Sequence, residues 1–435
     1  VLRTTAAIVA GKTARAAARV RGGGGSAMPG LVAERIDPQL LAHALSGLRD
    51  GIVVVTGTNG KTTTTKMLAA ILRAHGKRVF SNPTGSNFTR GVISAMLGDL
   101  PLTGRLDADV AVLELDEWHA LQFAKVVTPT HALLLNVARD QLDRFAEIDT
   151  TAKLLGTLAA GTSTGVVRNR DDSFVARLDE STFRPGVTTR WFGIDPALAA
   201  DLPPLHEVDA RFDDAFTAPP PTAEDGMLHP LGANDFRVDF GSETVGPLAL
   251  KQRGLAAMIN ATAATTTARL VLGDAFRAIT TEEALRAVTP PFGRGEVIDA
   301  AGHPLELVLV KNPAGFTVAL GTYHAEPVTT MVAINDDYAD GQDVSWLYDV
   351  SFESLRESGV ALTSGVRAYD MALRLDYDDV TVGAVEPDLE RALDRLLAEY
   401  PDEPRRIFCT YTAMMRLRRL LATRFGLAGF GEEGG

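Results

Sequence analysis

From residue 51 onward, short apolar runs alternate with longer segments whose apolar positions recur every three or four residues. GIVVVT (51–56) has no polar interruption before its threonine, the pattern of a strand buried on both faces. KTTTTKMLAAILRAHG (61–76) reads as a helix closed by Gly76. KRVFSN, DVAVLEL and HALLLNV are further strands, with helical patterns between them. This alternation predicts an α/β fold with a parallel sheet covered on both sides. The pattern breaks over 200–248, where PPLHEV, TAPPPTAEDG and FRVDFGSE predict a proline-rich loop and short antiparallel strands, an insertion at the sheet edge. Helical spacing resumes in GLAAMINATAATTTARLVLG and TEEALRAV. PPFGRGE (290–296) reads as a hinge. After it come ELVLVKN, VTTMVAIND, GVALTSG and RRIFCTYT as strands, with RAYDMALRL and LERALDRLLAEY as helices. The chain thus divides into a lead-in (1–50), a middle domain (51–290, with the insertion at 200–248) and a smaller α/β domain (291–435).

Composition narrows the picture in three places. A length of 435 residues favours two or three domains. A formal charge of −12 argues against a nucleic-acid binder, whose footprint is basic. The sole cysteine, Cys409, excludes an intramolecular disulfide and a cysteine-clustered zinc site, and its place in RIFCTY is that of a buried structural thiol. No apolar run approaches the roughly 18 residues of a membrane span. The N-terminus departs from the acidic trend, since Arg3, Lys12, Arg15, Arg19 and Arg21 all precede the first acid, Glu34. Leu2, Ala6, Val9, Thr13, Ala16 and Val20 recur there at helical spacing. A helix lying on an anionic membrane surface, a solvated basic helix and an organellar transit segment all fit that pattern.

The clearest chemistry lies in TGTNGKTT (56–63), between a predicted strand and a predicted helix. Gly57 and Gly60 let the backbone curl so that N–H groups face an anion at the helix N-terminus. Lys61 supplies a charge for the outer phosphates, and the Thr62 hydroxyl suits a magnesium ion. Thr58, Asn59, Gly60, Lys61, Thr62 and Thr63 therefore form the candidate nucleotide cradle. Val55 stands where the strict signature has glycine, so the loop is a variant.

VTGTNGKTTT resembles the ATP loop of the Mur ligase superfamily, whose members convert a carboxylate to an acyl phosphate that an amine attacks. The likeness continues through NPTGSNFTRG (82–91), LELDE (113–117), NVARDQLDRFAE (136–147), MINATAA (258–264) and FGRGE (292–296). RDQLDR, VKNPAGF (310–316), INDDYADGQDVSWLYD (334–349) and SGVRAYDMALRL (364–375) are similar, more narrowly, to the MurT family, the ATP-using subunits of lipid II isoglutaminyl synthases. The resemblance implies a Mur ligase-type central domain followed by a Rossmann-like C-terminal domain. It implies that Glu114 binds Mg²⁺, in keeping with that ion's preference for few protein carboxylates; an ordinary surface acid is the alternative. It implies that Asn260 faces adenine and that Arg294 swings over the phosphates on domain closure. Gln141 follows Asp140 where many Mur ligases have histidine, which puts a metal role there in doubt, and Lys153 lies near a lysine that some ligases modify. The zinc ribbon of some MurT proteins is not expected, because 200–248 has no cysteine.

The implied activity is ATP-dependent amidation of the D-glutamate α-carboxylate in lipid II. Cys409 lacks the setting of a glutaminase nucleophile, so ammonia is expected from a separate class I glutaminase subunit of the GatD type, forming a heterodimer. A Mur-type or folylpolyglutamate-type amino-acid ligase and a non-catalytic nucleotide-binding scaffold are the alternatives. The implied location is cytoplasmic, at the inner face of the membrane, with peripheral attachment through the basic N-terminus. INDDYADGQDVSWLYD packs five aspartates beside three aromatic rings. With Gly341 at the sixth position of a calcium loop, Tyr338 and Leu347 fall on ligand positions, so that register fails. The resemblance instead implies that an aspartate here completes the partner's catalytic triad. Asp349 is the first candidate and Asp343 the second, with Trp346 and Tyr348 as interface anchors; a solvated acidic loop remains the alternative.

Overall fold

The computed structural model describes residues 2–20, 27–82, 88–138, 148–199, 216–241, 243–291, 293–323 and 328–427. Three helices lead in: α1 (Leu2–Val20), α2 (Ala27–Ile36) and α3 (Leu40–Leu45). Strand and helix then alternate through β1 (Gly51–Thr56), α4 (Lys61–Ala74), β2 (Val79–Ser81), α5 (Thr89–Met96), β3 (Val110–Glu114) and α6 (Glu117–Ala124). The series continues with β4 (His131–Leu134), α7 (Ile148–Gly161), β5 (Gly165–Asn169), α8 (Ser173–Ala176) and β6 (Thr188–Ile194). An antiparallel edge, β7 (Gly226–Pro230), β8 (Asp235–Asp239) and β9 (Thr244–Ala249), precedes α9 (Leu255–Leu272) and α10 (Ala278–Ala287). Among the described residues these strands form one nine-stranded sheet in the order β2-β3-β1-β4-β5-β6-β7-β8-β9, parallel from β2 to β7.

β1 shows why an unbroken apolar run was needed. Ile52 and Val54 enter a core with α1, α2, α3, α5, α6 and α7, whereas Val53 and Val55 enter the opposite core with α4, α9 and α10. The lead-in packs into the first of those cores through Ala7, Ile8, Ala33, Leu40 and Leu41. α9 is long and apolar enough to cross a membrane by length and composition, which the count of unbroken apolar residues did not detect. Its Ala261, Ala264, Thr265 and Ala268 are buried, and it packs on α4 and the sheet as a core helix.

The second sheet is built from β10 (Arg294–Ala300), β11 (His303–Leu309), β12 (Thr329–Ala333), β13 (Val360–Ser364), β14 (Val382–Glu386) and β15 (Arg405–Cys409). Its order is β10-β11-β15-β12-β13-β14, parallel except for β10. Helices α11 (Pro313–Tyr323) and α12 (Ala368–Asp376) cover one face, and α13 (Leu389–Glu399) and α14 (Tyr411–Phe425) cover the other. The sequence pattern did not reveal β5, β6, β10 or β14. β10 starts inside the segment read as a hinge: Gly293 and Gly295 take φ of 67° and 75°, and a bulge separates Arg294 from Glu296. A Cβ on Gly293 would lie 1.8 Å from Met414 Sδ, so this junction is tightly packed against α14.

The N-terminal segment forms the helix its spacing predicts. α1 packs inward through Thr4, Ala7, Ile8 and Gly11, while Leu2, Ala6, Val9, Thr13 and Ala16 face outward. Small and polar residues win the interior because the neighbours approach closely. A Cβ on Gly11 would meet Leu97 at 2.6 Å, and Thr4 Oγ1 donates to buried Asp37 at 2.8 Å.

Candidate active site

The phosphate loop joins β1 to α4 at the carboxyl edge of the first sheet, where ligands gather in open α/β folds. Gly57 and Gly60 have φ of 129° and 89°. Their missing side chains leave room for the neighbours: a Cβ would come 2.9 Å from Asn136 N at Gly57 and 2.4 Å from Asn260 Oδ1 at Gly60. No side chain caps α4, whose first-turn N–H groups are thus left for an anion. Asn136, just beyond β4, fixes the loop: its backbone carbonyl accepts from Thr58 N, its Oδ1 accepts from Asn59 N, and its Nδ2 donates to Asn59 O. Asp172 supports that clamp by accepting from Val137 N, and burial pushes its carboxyl up to about 6.

Lys61 is buried. Its ammonium donates to Gly57 O at 2.6 Å and lies 3.3 Å from Asp116 and 3.8 Å from Glu117. Thr62 Oγ1 donates to Glu114 Oε1 at 2.7 Å and receives a bond from Arg294 at 3.2 Å. Asn82 pins the backbone of Glu114 from both sides, through its Nδ2 to the carbonyl and its Oδ1 to the N–H. Arg294, expected to arrive on closure, is already against Thr62, and burial lowers its pKa while Glu114 opposes the shift. One carboxylate beside one hydroxyl suits Mg²⁺, which takes its remaining ligands from phosphate and water. Among the described residues no cluster of three or more His, Cys, Asp or Glu side chains has metal-holding geometry.

A cavity of about 450 Å³ opens beside the loop, lined by Asn59, Gly60, Thr63, Asn169, Asp171, Asn260, Arg294 and Lys311, with Phe216, Ile259 and Val318 as apolar walls. Asn260 projects from α9 against Gly60. Thr58, the remaining predicted loop residue, exchanges bonds with Ala138 through its hydroxyl. Two residues that the sequence reading did not single out enter from the second sheet. Lys311 Nζ donates to Thr58 O at 3.0 Å, and Asn312 Nδ2 donates to Asn59 Oδ1 at 3.1 Å. Both lie in VKNPAGF, directly after β11, and a lysine followed by asparagine at a strand's carboxyl end was the available signal.

Asp349 stands apart from this cradle. It ends a 3-10 turn (Ser345–Asp349), exposed beside Tyr348, which is 54% exposed. Asp343 accepts from Ser345 N at 2.9 Å, a bond that lowers its pKa. Asp336 pairs with Arg367 at 2.7 Å, and Asp340 accepts from Thr412 N at 2.8 Å. Trp346, expected as an interface anchor, instead packs on Phe316 with centroids 6.3 Å apart. Asp140 and Gln141 lie outside the described residues, and Lys153 is exposed on α7. Cys409 is buried in β15, its thiol pushed far up by burial.

Two family models match: Mur ligase middle domain over residues 55–207 and MurT ligase C-terminal over 309–414. The MurT subunit of the glutamine-hydrolysing lipid II isoglutaminyl synthase of Streptococcus pneumoniae is 30% identical over 97% of this chain and 98% of its own. Its Staphylococcus aureus counterpart is 28% identical over 90% and 92%. Among solved structures, MurF of Acinetobacter baumannii superposes with a TM-score of 0.68 at 17% identity, covering 92% of this chain and 81% of that one. E. coli FolC, solved with ADP, gives 0.61 at 15% identity over 89% and 92%. The folylpolyglutamate-type fold is thus shared, while full-length similarity runs to the lipid II enzymes. This chain belongs to the MurT family of Mur-type ligases.

Proposed function

We infer that this chain is the ATP-using subunit of a lipid II isoglutaminyl synthase. It amidates the α-carboxylate of D-glutamate in the stem peptide, giving D-isoglutamine. The observation that carries this reading is the bridge between the sheets. Arg294 and Lys311, from the second sheet, are hydrogen-bonded to Thr62 and Thr58 of the phosphate loop. A nucleotide-binding scaffold has no need of cations converging on the outer phosphates from a second domain; a phosphoryl-transfer site does.

In the first step a carboxylate oxygen of the substrate attacks the γ-phosphorus of ATP. The bond to the β,γ-bridging oxygen breaks, and ADP leaves. Lys61, released from Asp116 and Glu117 by the incoming phosphates, and Arg294 offset the charge spread over the transferring group. Thr62 and Glu114 would hold Mg²⁺, which neutralises phosphate charge when bound. In the second step ammonia attacks the acyl carbon, phosphate departs, and the displaced proton passes to it. Asn312 and Lys311 keep the second domain closed on the loop, which limits hydrolysis of the acyl phosphate by water.

The sole thiol is buried, and burial raises its pKa, so it is not placed to hydrolyse glutamine, and we assign that step to another chain. The names of the relatives, a glutamine-hydrolysing synthase subunit, support a glutaminase partner of the GatD type. Asp349 is the carboxylate proposed to orient that partner's catalytic histidine. Its exposed neighbours support a docking role: Tyr348 stacks edge-on with exposed Tyr377 at 6.0 Å, and Tyr369 and Leu373 are exposed on α12. Asp343, whose carboxylate accepts from Ser345 N, is the second candidate.

The test is mass analysis of lipid II incubated with ATP, this chain and the glutaminase, with glutamine or ammonium as nitrogen source. A product lighter by the difference between OH and NH₂ is expected with both. Turnover with an added amino acid and no ammonia source would assign the chain to the amino-acid ligases instead.

A further inference from the structure

α1 has two apolar faces, and only one is used. Thr4, Ala7, Ile8 and Gly11 are packed inside, while Leu2, Ala6, Val9, Thr13 and Ala16 form a second stripe on the opposite side, open to solvent. Leu2 is 89% exposed and Val9 50%. Thr13 behaves as part of the stripe because its hydroxyl is returned to Val9 O at 2.9 Å. Thr5 Oγ1 donates to Leu102 O at 3.3 Å, which brings Leu102, 55% exposed, to the edge of the same patch. A surface helix of a soluble protein ordinarily turns a polar face outward, so this one calls for an occupant.

The charges say which. At about 100° per residue, exposed Arg3 and Lys12 fall on either side of the stripe, each roughly a quarter turn away. Arg15 lies over Gly98, about 140° from the stripe and so towards the packed side. α1 carries no carboxylate, in a chain whose formal charge is −12. Asp37, which reaches the helix from α2's end, is buried and accepts from Thr4 on the packed side. Arg3, whose Nε donates to Ile36 O at 2.6 Å, and Lys12 thus place one cation on each side of an outward apolar stripe, an arrangement suited to a helix lying in the plane of an anionic bilayer.

We propose that the outward face of α1 docks this protein onto an anionic lipid surface, with Leu2, Val9 and Leu102 entering the headgroup boundary and Arg3 and Lys12 meeting the phosphates. The chemistry stands on α1 alone; its usefulness rests on the reading of a lipid-linked substrate. The rest of the lead-in fixes the geometry. α1 is tied to α2, and α2 packs on α5, so docking would hold the first sheet at a constant height over the membrane. Binding through so few large apolar groups is weak and reversible, suited to an enzyme that must move between substrate molecules.

The experiment is co-sedimentation of the full chain with phosphatidylcholine vesicles, with and without phosphatidylglycerol. Wild type should sediment with the anionic vesicles only, and release as salt rises. Each basic residue near such a surface contributes about a factor of five. Lys12→Glu, which also introduces repulsion, should weaken binding on the order of tenfold or more, and Val9→Asp similarly. Both positions are exposed, so the melting temperature should not move, and amidation of detergent-dispersed lipid II should stay at the wild-type level. Equal binding to neutral and anionic vesicles, or unaltered binding of both variants, overturns the proposal. So does a wild-type dimer that Val9→Asp dissolves without any vesicle binding, which would make the patch a self-association surface. Failure of wild type to amidate in detergent would strike the catalytic reading and leave the vesicle result standing.

Discussion

The phosphate loop and the acidic stretch 334–349 both leave the carboxyl edges of parallel strands, β1 in one sheet and β12 in the other, yet they spend their polar groups in opposite directions. In the loop every charge is turned inward. Lys61 is held by Asp116, Glu117 and two backbone carbonyls, and Thr62 by Glu114 and Arg294. In the acidic stretch three of the five aspartates stabilise the stretch itself: Asp336 on Arg367, Asp340 on the first turn of α14, Asp343 on the 3-10 turn. Towards solvent the stretch presents Asp337, Tyr338, Asp343, Tyr348 and Asp349. A sheet edge can thus keep a site for its own ligand or build a rigid support that displays a residue to another chain. The two are close: Lys311 follows β11 and Asp336 lies just after β12, with only β15 between those strands, so the edges are about 10 Å apart across the sheet.

The contrast breaks most sharply at Asp349. Asp349→Asn should lower glutamine-dependent amidation by about 10⁴, the scale seen when a triad histidine loses its orienting carboxylate. Amidation driven by ammonium salt should be unchanged. Equal loss with both nitrogen sources would return Asp349 to this chain's own chemistry. Arg294→Ala should do the reverse, lowering both reactions together by about 10² to 10³, because it removes a cation from the transferring phosphoryl group. A selective effect on the glutamine reaction would contradict that placement.

Asp340→Ala tests the support rather than the display. It removes a buried acceptor from Thr412 N and Oγ1 at the start of α14, and should cost about 1–3 kcal/mol in denaturant unfolding. Because α14 follows β15, between the two edges, a loss of glutamine-dependent activity larger than the ammonium-dependent loss is expected. An unchanged unfolding midpoint would mean that the acidic stretch holds itself.

Much of the first site was legible because its signals are local. GIVVVT, two glycines and Lys-Thr occupy twelve consecutive positions, and burial on both faces of β1 follows from that run. Lys311 and Asn312 carried only the signal of their place at a strand's carboxyl end; their meeting with Thr58 and Asn59, across 253 residues of chain, is encoded by no periodicity. LELDEW was visible as a motif, but the use of Asp116 and Glu117 as partners for Lys61 depends on β3 lying beside β1. β10 was mistaken for hinge because two glycines at positive φ read as a linker until the pairing with β11 is seen. On α1 the period was right, but which side faces in was decided by close packing at Gly11 and a hydrogen bond at Thr4, not by hydrophobicity. In the acidic stretch, composition marked the region, while the partners of Asp336, Asp340 and Asp343 depend on Arg367, Thr412 and the 3-10 turn.

The choice between Asp343 and Asp349 is the finest test. They are six residues apart, and the resemblance ranks Asp349 first. Asp343 accepts from Ser345 N, which lowers its pKa, so the folded state holds it ionised more firmly than the unfolded chain does. Its stabilising effect is therefore present above the ordinary carboxylate pKa and is lost as the pH falls through the lowered value. Asp343→Ala should behave as a lost cap, with a cost of about 1 kcal/mol or less at neutral pH. Glutamine-dependent amidation should stay within about twofold of wild type, since an exposed turn can keep its shape without one such bond. A collapse of the glutamine reaction in Asp343→Ala, with the ammonium reaction intact and Asp349→Asn active, would exchange the two roles. It would mean that Asp343, just before the turn, rather than Asp349 at its end, is the group proposed to reach the partner.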